Sequence, residues 1–148
     1  FDENIFLNSV RRCFIGASTV LIKKNVFDDI GLFNEDFPVC EDYELWLRIA
    51  SKYPIGFISD ELIIRNGGHS DQLSNKYNAM DYWRVKASAA MLSNKLESSK
   101  SDALVEFINT KIPILVSGFK KYNHQEKLQD VLAIKENVDH FVGNKVNP

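Results

Sequence analysis

Apolar positions change their rhythm along this chain. Residues 18–22 form a short run rich in β-branched side chains, and the run predicts a strand. Residues 25–30 read as a short helix, stopped by Gly31 at the position where helices favour a left-handed residue. Residues 32–40 are a loop. In residues 41–52 the apolar side chains Leu45, Trp46, Ile49 and Ala50 recur at helical spacing, and Pro54 forbids continuation. Residues 55–59 and 62–65 predict two further strands with Asp60-Glu61 between them. Asn66-Gly67-Gly68 is a loop signal.

From residue 76 onward the period is helical throughout. Residues 80–96 place Met80, Trp83, Ala87, Ala90 and Met91 on one side. Residues 103–122 carry Leu104, Phe107, Ile108, Ile112, Ile114, Leu115 and Phe119, with Pro113 set to bend or split the helix. Residues 125–141 carry Leu128, Val131, Leu132, Ile134, Val138 and Phe141. The pattern divides the chain into a mixed part, 1–75, and a helical extension, 76–148, packed on the first part or on a partner.

Composition narrows the function classes. The chain has 148 residues, 45% of them apolar, enough for one modest domain. Its formal net charge of −2 gives no basic stripe, so nucleic-acid binding has no electrostatic support. No apolar run reaches the ~18 residues that span a bilayer. Cys13 and Cys40 lie far apart and in no Cys-x-x-Cys motif, which points to reduced thiols. His124, His140 and the pairs Lys23-Lys24 and Lys120-Lys121 read as solvated surface.

The strongest chemical signal is Glu41-Asp42 at the start of the helix over 41–52. Asp42 falls on nearly the same side as Leu45, Trp46 and Ile49, and a carboxylate toward a buried face is costly unless paired or used. A structural reading stands beside this. Acids in a first turn are favoured by the macrodipole and by unpaired N–H groups, and Glu44 and Arg48, at i,i+4, can form an ordinary surface pair. Trp46 reads first as a core aromatic, with the floor beneath Asp42 as the alternative.

The context on both sides adds a resemblance. Gly31-Leu-Phe-Asn-Glu precedes Glu41-Asp-Tyr-Glu-Leu-Trp-Leu-Arg, which is followed by Tyr53-Pro54. In this order the motifs resemble the C-terminal part of family 2 glycosyltransferases with the GT-A fold, over roughly residues 9–85. The resemblance implies an α/β fold (α+β within this fragment), the acceptor-side part of a GT-A domain with a helical appendage. It implies an inverting transfer from a nucleotide-diphosphate sugar to a hydroxyl of a glycan or lipid-linked acceptor. Glu41 and Asp42 match the family's acidic motif, whose second acid, here Asp42, acts as general base. It further implies a cytoplasmic setting, or the cytoplasmic face of a membrane, and a role in making polysaccharide of the cell envelope.

A second candidate site is the loop Gly67-Gly68-His69-Ser70-Asp71-Gln72. Its glycines allow close backbone approach to a ligand. His69 is a candidate metal or diphosphate ligand, Asp71 and Gln72 are candidates for binding sugar hydroxyls, and Arg65 for neutralising phosphate. The family's divalent metal, Mn²⁺ or Mg²⁺, is held by an Asp-x-Asp motif in the donor-binding half. Residues 1–148 contain no Asp-x-Asp. The metal is therefore expected in a full-length parent, with none in this fragment, and the fragment alone is expected to be inactive. A non-catalytic module that binds a partner through its helical tail is the alternative, and a small hydrolase built on Cys40 or on paired carboxylates is a third.

Overall fold

The computed structural model describes residues 5–64, 77 and 79–146. They fall into two units, Phe1–Met80 and Asp81–Pro148. In the first, helix α3 (Glu41–Lys52) is the centre. Seven of its residues, Tyr43 to Leu47 with Ile49 and Ala50, are buried. The acids of its first turn and Lys52 in its last suit the macrodipole. Its backbone ends at Tyr53, whose N–H bonds the Ile49 carbonyl before Pro54. Helix α2 (Lys24–Ile30) packs on one side through Val26, against Leu45, Trp46 and Ile49. Burying each large aliphatic side chain here is worth about 1.5–3 kcal/mol.

Helix α1 (Ile5–Arg11) also lies against α3. The last carbonyls of a helix lack intrahelical partners. Here the Tyr43 hydroxyl donates to one of them, the Val10 carbonyl, at 2.8 Å. Three residues on, Trp46 Nε1 donates to the Ile15 carbonyl at 3.0 Å. Two aromatic side chains of α3 thus fix the chain from 10 to 15. At the far end of α3 the Tyr53 hydroxyl donates to Asp29 Oδ2 at 2.9 Å, and Lys52 Nζ lies 3.3 Å from the same carboxylate. The Tyr53 bond first, and Lys52 second, hold the exposed Asp29 carboxyl below its ordinary range.

The expected α/β architecture is not what forms, whether as a GT-A domain or as α+β within this stretch. Among the described residues there are helices and no strand. Residues 17–19, where a strand begins in the sequence reading, make a 3-10 turn (Ala17–Thr19), with Thr19 N–H bonded to the Gly16 carbonyl at 2.9 Å. Residues 55–64 carry no ladder, and Phe57, Ile58, Leu62, Ile63 and Ile64 are exposed. β-Branched content supplies propensity, but a strand exists only where a neighbour takes its N–H and C=O groups. The described residues supply no such neighbour. Arg65, the last residue of the third expected strand, lies outside them.

The second unit is built from α4 (Met80–Met91) after its first residue, α5 (Ser98–Lys121) and α6 (Gln125–Val146). α5 and α6 pack together around Leu104, Ile108, Leu115, Phe119, Leu128 and Val131. α5 ends in a paired cap. His124 N–H bonds the Phe119 carbonyl at 2.9 Å, Asn123 N–H bonds that of Lys120 at 3.3 Å, and Asn123 takes φ 56°. Pro113 does not split α5. Both Pro113 and Asn109, whose carbonyl it leaves without a helical donor, face solvent, where water serves that carbonyl. α4 ends at Met91 rather than near residue 96, and α6 runs past residue 141 to Val146. α4 is joined to α6 by the Tyr82 hydroxyl on Asp130 Oδ2 at 2.6 Å, and to α5 by Lys111–Asp81 at 2.8 Å. Among the described residues no helix is long and apolar enough to cross a membrane.

Candidate functional site

The acidic end of α3 is organised by the residue that precedes it. Cys40, the N-cap, adopts φ 60° and ψ 21°, a left-handed conformation that a side chain rarely takes, and its thiol does not cap the helix. Strain of this kind costs about 1–3 kcal/mol and persists where the surroundings impose it. Here Val39 and Cys40 are both buried. With the N-cap side chain elsewhere, Asp42 takes over part of its work, since its Oδ1 accepts the Tyr43 N–H at 2.7 Å.

Asp42 is half-buried, neither sealed in the core nor turned fully outward. The Cys13 thiol lies 3.8 Å from both Oδ1 and Oδ2. This is a long, weak contact, within the reach of a sulfur donor. The two residues are 29 apart in sequence and meet because Tyr43 and Trp46 anchor the chain on either side of Cys13. One oxygen is thus engaged by the helix terminus, and the other faces only the Cys13 thiol among the described residues. A carboxylate with one oxygen fixed and one presented to a weak donor can accept a proton from an incoming hydroxyl.

Glu41 is half-buried beside it. Trp46 is 3% exposed, so its ring belongs to the core and its N–H to Ile15. Its position supports the helix beneath Asp42. Arg65, His69, Asp71 and Gln72 lie outside the described residues, so the second candidate loop takes no part in this geometry. Among the described residues no group of three or more His, Cys, Asp or Glu side chains is placed to hold a metal ion. Cys13 and Cys40 form no disulfide with each other, and Cys40 is buried.

The Glu44–Arg48 pair differs from a surface pair. Its side chains are 9% and 19% exposed, and the guanidinium does more than meet the acid. Nε donates to Glu44 Oε1 at 2.8 Å and Nη2 to Oε2 at 2.7 Å. Nη1 donates to the Ile30 carbonyl at 2.6 Å, and Nη2 also to that of Leu32 at 2.8 Å. The i,i+4 spacing was visible in the sequence. The two carbonyls were not, because they belong to a turn 16 and 18 residues away. Cys13 likewise carried no local signal.

Comparison with known proteins finds similarity to proteins named as glycosyltransferases. Over 73 residues, 49% of this chain, it is 38% identical to an uncharacterized glycosyltransferase of Rickettsia felis and 36% identical to one of Rickettsia conorii. Over 77 residues, 51% of the chain, it is 36% identical to an uncharacterized glycosyltransferase of Rickettsia bellii. These matches span only 11–12% of the relatives' own lengths. No family model matches the chain, and no solved structure does.

Proposed function

We propose that this chain is the acceptor-side part of an inverting, family 2-like glycosyltransferase. The similarity to the three rickettsial proteins supports the glycosyltransferase part of this reading, and the half-buried Asp42 carboxylate supports the choice of base. An acceptor hydroxyl is a poor nucleophile. As its oxygen attacks the anomeric carbon, its proton passes to Asp42, and the nucleotide diphosphate departs from the opposite face with the bonding electrons. Proton removal by a positioned carboxylate contributes about 10²–10⁴-fold. Glu41 adds negative charge beside the base.

The donor is a nucleotide-diphosphate sugar and the acceptor a glycan or a lipid-linked glycan. The setting is the cytoplasm or the cytoplasmic face of a membrane, in polysaccharide synthesis for the cell envelope. The divalent metal, Mn²⁺ or Mg²⁺, and the diphosphate contacts belong to the full-length protein. Residues 1–148 on their own then bind nucleotide diphosphates too weakly to measure and transfer no sugar. The test offers the full-length protein a panel of α-linked nucleotide sugars with glycan acceptors, and the product is read by proton NMR. A β-linked first product is expected. An α-linked first product overturns the inverting mechanism. Failure to release nucleotide diphosphate from any donor overturns the transferase reading.

A further inference from the structure

The geometry points to Arg48 as a positioning residue for Asp42, an inference that rests on the reading above. Three acids, Glu41, Asp42 and Glu44, share the first turn of α3. That turn offers only a few unpaired N–H groups, and each acid is attracted to them. Arg48 removes one competitor. It takes both oxygens of Glu44 toward the next turn, at 2.7 and 2.8 Å. The Tyr43 N–H is then left to Asp42, whose carboxylate it fixes at 2.7 Å.

The same guanidinium also fixes the loop that leads into the site. Its bonds to the carbonyls of Ile30 and Leu32 straddle Gly31, which takes φ 84°. A Cβ built on Gly31 would sit 3.6 Å from Arg48 Nη1, so the turn and the side chain lie in contact. The loop therefore starts on Arg48 and ends in the buried pair Val39 and Cys40. Its last residue, Cys40, is the left-handed N-cap that sets the direction of Glu41 and Asp42. Loop and helix start are tied together by one planar fork with fixed donor directions. Lysine, with a single nitrogen, cannot reach two carboxylate oxygens and two carbonyls at once.

The test uses the full-length protein and a reporter that needs no substrate. The S–H stretch of Cys13 appears in a clear window of the infrared spectrum and is assigned by subtracting the spectrum of Cys13→Ser. Asp42→Ala removes the acceptor and sets the shift to be matched. Arg48→Lys is expected to move the band in the same direction, although it keeps the positive charge. With a donor found by the panel, Arg48→Lys is expected to lower kcat by about 10–100-fold and leave the donor KM within about twofold.

A band that Asp42→Ala moves and Arg48→Lys does not overturns the inference, as does parental kcat in Arg48→Lys while Asp42→Asn is inactive. A band that even Asp42→Ala leaves in place removes the contact on which the inference stands. Should Arg48→Lys fail to fold, Glu44→Gln is expected to move the band the same way by less, and no movement there also overturns it. Turnover by Asp42→Asn at the parental rate defeats the catalytic reading separately, and the infrared band still decides whether Arg48 holds the carboxylate.

Discussion

Tyr43→Phe isolates one atom on which the acidic site depends. The ring stays, so no cavity opens, and only the hydroxyl that donates to the Val10 carbonyl at 2.8 Å is lost. Val10 is fully buried and Tyr43 is 1% exposed, so water cannot replace the donor. Leaving a buried acceptor without its partner costs about 1–3 kcal/mol. The cost falls on the join between α1 and α3, because that carbonyl belongs to the last turn of α1. At about 1.4 kcal/mol per factor of ten, amide exchange in α1 should quicken by about 5- to 150-fold where exchange reports opening equilibria. Peptide-level hydrogen exchange on the intact protein reads this directly, with α5 and α6 as internal standards. Unchanged protection in α1, or an equal loss in α5 and α6, would refute the reasoning.

Two further substitutions test other parts of the account. Gly31→Ala places a side chain at φ 84° and beside Arg48 Nη1, so it should destabilise the first unit by about 1–2 kcal/mol; urea unfolding followed by the fluorescence of Trp46 in a Trp83→Phe background checks it, and a neutral result would mean the turn is not held as described. In the second unit, burial first and the bond to Asp130 second push the Tyr82 hydroxyl above its ordinary value of 10.0. The folded state therefore keeps that proton where the unfolded chain loses it, so stability is intact below pH 10.0 and declines as pH rises above it. Tyr82→Phe should flatten that alkaline decline in thermal melts; an equally steep decline in the variant would count against it.

The sequence made α3 legible to the residue. Acids opened it, Lys52 closed it, Pro54 stopped it, and the apolar spacing named its buried side. Gly31 was equally readable as a helix stop, and its N–H bonds the Phe27 carbonyl at 2.9 Å. These are local effects, settled within a turn or two of chain. The three expected strands were different. Residues such as Val20, Ile55 and Ile63 report how well a side chain suits a pleated sheet, not whether a neighbouring strand is present. Pairing is a tertiary property, and among the described residues 5–64 it does not occur.

The candidate site shows the same division. Asp42 was visible as an acid facing an apolar stripe. Its partner Cys13 was not, because Tyr43 and Trp46 bring it there from 29 residues away. The Glu44–Arg48 spacing was plain, but its burial and its hold on Ile30 and Leu32 come from packing that spacing does not encode.

The most direct measurement is single-turnover transfer by full-length Asp42→Asn with donor and acceptor both saturating. Asparagine keeps an oxygen for the Tyr43 N–H and loses only the capacity to take a proton. The expected transfer rate is about 10²–10⁴-fold below the parent, with donor affinity unchanged. Transfer at the parental rate would contradict it.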